Sequence, residues 1–226
     1  MTRKTSISPT RSLVVNRQYD PSKSVFGQVQ AIYAESFPPG QRVDFNTLAS
    51  AVTEGKRTLF TVQDDGQVLG FAITASLPDT DIHCLEYLAV RRGERSRGIG
   101  SRLIRAALSD LQTRAQASGL ILEVEAEQEG TGREQETRRA RVAFYRRNGA
   151  YLVEEVARFL APDLIDGGTI EMKLMWLPAA STPIRLSGPQ LAACILGIYS
   201  QCYGLPLDDP RVEATLRISG RPVLSP

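Results

Sequence analysis

The stretch Leu85-Glu86-Tyr87-Leu88-Ala89-Val90, running through Arg91 to Gly100 and into Ser101, constrains the fold more than any other part of the chain. An apolar strand meets a turn containing Gly98 and Gly100. From Ser101 the period then changes, so that Leu103, Ile104, Ala107, Leu108 and Leu111 share one face of a long helix that Gly119 can end. A strand feeding an amphipathic helix through a glycine turn needs a sheet with helices packed on it, which is an α/β architecture. The amides of such a turn and of the first helical turn lack internal partners and can converge on phosphate oxygens. Glycine permits the close approach this needs. A ligand-free capping turn would use the same geometry; the adjoining strand and the basic residues Arg95 and Arg97 favour an anion site.

Two familiar phosphate motifs do not fit. A dinucleotide fingerprint needs its own glycine spacing and a parallel unit after it, and the turn lacks the terminal Lys-Ser/Thr pair of a nucleotide P-loop. The remaining pattern reads as a mixed sheet. A first strand runs through Leu13, Val14 and Val15. Val25, Val29, Ile32, Tyr33 and Phe37 recur at helical spacing until Pro38-Pro39-Gly40, and a second short helix extends from about Asp44 to Gly55. Strands at 58–63 and 67–75 flank the hairpin turn Asp64-Asp65-Gly66, and further strands follow at 84–90 and 120–125. Residues 128–137 read as a flexible polar excursion before a short helix through Val142, Phe144 and Tyr145 that Asn148-Gly149 ends. A late strand pair is expected at 151–159 and 169–176.

Composition narrows the function. With Lys+Arg 27 against Asp+Glu 25, the net charge of +2 is too balanced for a general polyanion-binding surface, so no nucleic-acid partner is expected and any phosphate site must be focused. Cys84, Cys194 and Cys202 with the single His83 match neither a zinc module nor a disulfide framework, so no metal is expected. The N-terminal residues lack the apolar core of a secretory signal, and no run is long enough to span a bilayer, which points to a cytoplasmic protein without a membrane partner. Residues 1–12 read as a loose tail, 13–177 as one catalytic domain, and 178–226 as an extension with a helix near 189–203. That helix can cover the core or a second subunit, and a homodimer is expected.

Taken together, two segments resemble the signatures of the GNAT superfamily of acyl-CoA-dependent N-acyltransferases. Arg95-Ser96-Arg97-Gly98-Ile99-Gly100, with Ser101, resembles the turn that binds the coenzyme A pyrophosphate. Leu88-Ala89-Val90 resembles the strand end whose backbone engages the pantetheine and acyl carbonyl. Val142-Ala143-Phe144-Tyr145-Arg146-Arg147-Asn148-Gly149-Ala150 resembles the second signature, with its common catalytic tyrosine at Tyr145. The resemblance implies a single α/β domain with a central mixed, mostly antiparallel sheet flanked by helices, and acetyl-CoA as cosubstrate. Arg138 stands where many members carry a coenzyme-facing Asn, and with Arg146 it is expected at the coenzyme phosphates.

The reaction so implied is direct attack of a primary amine on the thioester carbonyl, with backbone donors near Val90 stabilising the oxyanion. Tyr145 is the expected acid toward the departing thiolate, unless it only packs its helix. Glu86 is the expected base, its carboxyl raised by burial, unless it lies exposed on the strand. Glu123 and Glu125 share one side of their strand and are expected to meet the amine, or else to alternate outward into solvent. The acceptor is expected to be a small molecule bearing an amine; a protein or peptide acceptor, or an inactive acyl-CoA-binding sensor, are the alternatives.

Overall fold

The computed structural model describes residues 13–19, 21–114, 117–128, 130–179, 183 and 185–219; the expected tail at 1–12 lies outside them. The strands are β1 (Val14–Gln18), β2 (Thr58–Asp64), β3 (Gln67–Ser76), β4 (Ile82–Val90), β5 (Gly119–Glu125), β6 (Tyr151–Leu152), β7 (Phe159–Pro162) and β8 (Thr169–Pro178). They form one mixed sheet in the order β1-β2-β3-β4-β5-β8-β6, with β7 also on β8. Every pairing is antiparallel except that of β4 with β5. At the β2–β3 turn Asp65 and Gly66 have φ of 48° and 74°, both left-handed, as a tight hairpin of matching twist requires.

Helices cover both faces because alternate strand residues are apolar on each side. On one face α3 (Ile99–Arg114) and α4 (Gly132–Arg147) bury Leu103, Ile104, Ala107, Val142 and Tyr145 against Phe60, Leu120, Leu122 and Met175. On the other, α1 (Lys23–Ser36) and α2 (Phe45–Thr53) pack Val29, Ile32, Tyr33 and Leu48 on Leu59, Phe71 and Ile73. Ser22 and Asp44 cap these two helices by accepting from Val25 and Thr47.

Three sequence expectations change. The polar stretch expected as an excursion to Thr137 is helical from Gly132. It carries the helix formers Glu134, Gln135 and Arg138 and an i,i+4 ion pair from Glu134 to Arg138 at 2.7 Å. The strand expected at 151–159 is two short strands around a turn. The extension holds α5 (Gly188–Gly197), a π-helical turn (Ile198–Cys202) and a second helix that periodicity had not revealed, α6 (Pro210–Ile218).

The extension also answers where its apolar stripe goes. Leu191, Ile195, Ile198, Tyr199, Val212 and Leu216 pack on Ile82, Ile121, Phe159, Leu174 and Trp176, the second face of the C-terminal half of the sheet. Tyr199 stacks on Phe159 with centroids 4.7 Å apart, and its hydroxyl lies 2.6 Å from that of buried Thr215. The stripe from which a twin subunit was expected is consumed inside the chain, and the homodimer loses that support.

Candidate active site

The central irregularity of the sheet is a notch between β4 and β5. Their parallel pairing covers only Ile82–Cys84 against Gly119–Ile121. β4 continues to Val90 and β5 to Glu125, leaving the facing backbone groups beyond those pairs without a strand partner. Against β3, Tyr87 pairs with Ile73 and Leu85 with Thr74, so Glu86 is the extra residue of a β-bulge at the mouth of the notch.

A groove of about 750 Å³ runs from the notch over the start of α3. Ser96 and Gly98 turn the chain there with φ of 66° and 75°. A Cβ on Gly98 would meet no atom within 4 Å, so the glycine serves the backbone conformation and leaves the turn open. The first helical bond runs from the Arg102 amide to the Gly98 carbonyl, and among the described residues no backbone acceptor meets the amides of Ile99, Gly100 and Ser101. A Cβ at Gly100 would stand 2.9 Å from Phe144 Cζ, so the ring of Phe144 on α4, which packs against the first turn of α3, would have to shift to admit a side chain there.

The groove is lined by Leu88, Ala89, Val90, Arg95, Ser96, Gly98, Ile99, Gly100 and Ser101, while Arg97 turns aside to Glu94. Its other cations are Arg105, Arg141 and Arg147. The two arginines expected there lie elsewhere. Arg138 faces Glu134 and Glu125, and Arg146 approaches Glu127 at 3.7 Å. The reason is the face of α4: Thr137, Arg141, Phe144 and Asn148 recur along the groove at helical spacing, and Arg138 and Arg146 do not fall on that line. Ser36 also lines the groove, and its Oγ is buried with no hydrogen-bond partner among the described residues. This donor set of open amides, guanidinium groups and a spare hydroxyl suits the phosphates of coenzyme A.

Phe37, Leu88, Arg141 and Phe144 line both this groove and a smaller pocket of about 170 Å³ on the far side of the notch. Tyr145, Glu86 and Glu123 line the pocket. Tyr145 is 7% exposed, and burial pushes its hydroxyl up to about 12, with the Arg141 charge opposing, so it holds its proton at neutral pH.

The carboxylates differ in their partners. Glu86 accepts from Arg57 Nε at 2.6 Å, and its side chain is 5% exposed. Burial raises its carboxyl and Arg57 opposes the rise; a proton delivered there would leave the buried guanidinium without its counter-charge. Glu123 has no cation beside it among the described residues. It accepts from the Tyr203 hydroxyl at 2.7 Å, and burial raises it to about 7 despite that hydrogen bond, with the Glu86 charge adding to the rise. Glu125 is held by Arg141 at 2.5 Å and Arg138 at 3.4 Å and does not line the pocket. His83, on the opposite side of β4, titrates below its ordinary range through burial.

The extension supplies one wall that sequence reasoning missed. The free thiol of Cys202 interacts with the Cys84 thiol and the Glu86 carboxylate, the Tyr203 hydroxyl donates to Glu123, and the Gln201 carbonyl accepts from Arg57. Among the described residues, no group of three or more His, Cys, Asp or Glu could hold a metal ion, and no helix is long and apolar enough to cross a membrane.

Residues 26–150 match the family profile described as the acetyltransferase (GNAT) family. The chain belongs to the GNAT acetyltransferase family. Solved GNAT structures share the fold at low identity. A protein assigned to the family from Bacteroides thetaiotaomicron superposes with a TM-score of 0.64 at 21% identity, covering 84% of this chain and 99% of its own. The ribosomal-protein-S18-alanine N-acetyltransferase of Escherichia coli gives 0.54 at 20%, covering 78% and 99%. An aminoglycoside 6'-N-acetyltransferase complexed with coenzyme A gives 0.56 at 16%, covering 75% and 99%. No curated protein sequence matches.

Proposed function

We propose that this GNAT protein transfers acetyl from acetyl-CoA to the primary amine of a small molecule, by direct attack and without an acyl-enzyme. The observation that carries the reading is the continuity of the phosphate-suited groove with a carboxylate-bearing pocket through the notch between β4 and β5. The amides of Gly98 to Ser101, with Arg95, Arg105 and Arg147, would hold the diphosphate. The open β4 edge at Leu88 to Val90 would align the pantetheine arm and offer donors to the acyl oxygen.

In the pocket Glu123 takes the role first expected of Glu86. A carboxyl titrating near 7 can accept the proton that makes an ammonium nucleophilic. The amine nitrogen then bonds to the carbonyl carbon, the carbon–sulfur bond breaks, the Tyr145 hydroxyl gives its proton to the thiolate, and the proton that the nitrogen sheds on becoming an amide restores that hydroxyl. Glu86 with Arg57 supports the bulge beside this path.

The test is incubation of the purified chain with acetyl-CoA and amines, following free thiol and acetylated product by mass. Both must rise together. Thiol release without an acetylated amine would show hydrolysis and refute transfer.

A further inference from the structure

The walls of the acceptor pocket restrict which amine can enter. Resting on the reading just given, we infer that the acceptor is a compact monoamine, a single primary amine on an apolar body about the size of a benzene ring, and neither a polyamine, an amino sugar nor a peptide.

Size is the first observation. The pocket measures about 170 Å³, close to the roughly 150 Å³ cavity that holds one benzene. Its outer side is bridged. The Leu164 amide donates to the Gly40 carbonyl at 2.8 Å, joining the loop after α1 to the β7–β8 connection. A Cβ on Gly40 would lie 2.6 Å from the Asp163 carboxylate, so the two loops are in close contact. Phe37 and Gln41 from the first loop, and Pro162 and Ile170 beside the second, line the pocket beneath this bridge. A peptide laid across the sheet would have to break it. Below, Cys202 and Tyr203 of the extension close the floor.

Charge is the second observation. Of the carboxylates lining the pocket, Glu86 is matched by Arg57, which leaves Glu123 for one ammonium. Arg141, also in the wall, is matched by Glu125 at 2.5 Å and so adds no anion for a second cation. A polyamine would bring further charge into a pocket without an anion to match it. Several polar side chains of the lining are already engaged: Tyr203 donates to Glu123, Tyr87 donates to the Gln41 carbonyl and accepts from the Val43 amide, and Gln41 donates to Glu125, while Phe37, Leu88, Phe144, Ile170 and Met172 offer carbon to the body of the acceptor.

The experiment uses the full chain with saturating acetyl-CoA and compares kcat/KM for isobutylamine, benzylamine, 4-phenylbutylamine, spermidine, glucosamine and a tripeptide with a free amino terminus. Benzylamine is expected to exceed spermidine, glucosamine and the tripeptide by at least about 100-fold, and 4-phenylbutylamine by at least about tenfold. Equal or better turnover of spermidine, glucosamine or the peptide would overturn the inference while leaving acetyl transfer standing. No turnover of any acceptor would overturn the acetyltransferase reading and the inference together. Met172→Ala with Ile170→Ala should raise the ratio of 4-phenylbutylamine to benzylamine by about tenfold or more. An unchanged ratio in a folded variant would show that these walls do not select the acceptor.

Discussion

Replacing Glu123 by Gln separates stability from chemistry at the residue on which the reaction turns. The Glu123 carboxyl titrates near 7 in the fold, against an ordinary value of 4.5, chiefly because burial disfavours its charge. The fold therefore binds this proton more tightly than the unfolded chain does. The stability associated with that proton is fully present below about pH 4.5 and lost as pH rises through about 7. At about 1.36 kcal/mol per pH unit, the loss between about pH 5 and about pH 8 is about 2–3 kcal/mol. Gln has the same shape, can accept from Tyr203 through its carbonyl, and carries no charge. In guanidinium unfolding the E123Q advantage over the parent should accordingly grow by about 2–3 kcal/mol across that range. Acetyl transfer should meanwhile fall about 100-fold or more, as loss of a general base entails. An E123Q protein no more stable than the parent at about pH 8, or one that keeps its turnover with chemistry rate-limiting, would refute the reasoning.

Three further outcomes follow from the same geometry. Tyr203→Phe removes a hydrogen bond to the ionised Glu123 worth about 1.5–3 kcal/mol, so the acid limb of kcat/KM should move up by about one to two pH units from near 7, with activity recovered at higher pH; a limb that stays in place counts against the Tyr203–Glu123 pair. Tyr145→Phe should lower turnover by about 100-fold with little change in coenzyme affinity, measured under single-turnover conditions; unchanged turnover would remove it as the acid. Gly98→Val forces a branched side chain to a φ of 75°, a strain of roughly 1–2 kcal/mol, and fills the open turn. Coenzyme affinity by calorimetry should drop, and unchanged affinity would show that the turn is not the phosphate cradle.

Strands β1 to β5 and β8, the hairpin turn and α3 were legible because each carries a dominant period or an interpretable turn residue, whereas the short β6 and β7 were merged into one expected strand. The start of α4 was not. Its groove-facing residues, Thr137 and Arg141, are polar, so no apolar stripe announces the helix before Val142. Arg138 stands where many family members carry a coenzyme-facing Asn, yet it and Arg146 lie off the face of α4 that lines the groove, where Arg141 and Arg147 are found. Extending the period backward from Phe144 would have recovered the groove face. Glu86 and Glu123 both invited a catalytic role from their place on adjacent strands. What separates them is Arg57 on one and Tyr203 on the other, partners 29 and 80 residues away that no local pattern reveals. The helix expected near 189–203 corresponds to α5 and the π-helical turn after it, and its destination is set by Ile121, Leu174 and Trp176, the bare strand face it covers.

A crystal structure with acetyl-CoA bound tests the central claim most directly. The diphosphate oxygens are expected within hydrogen-bond reach of the amides between Gly98 and Ser101, with the thioester lying in the notch between β4 and β5 and its sulfur near the Tyr145 hydroxyl. A diphosphate resting at another surface, or a thioester pointing away from the pocket that holds Glu123, would contradict it.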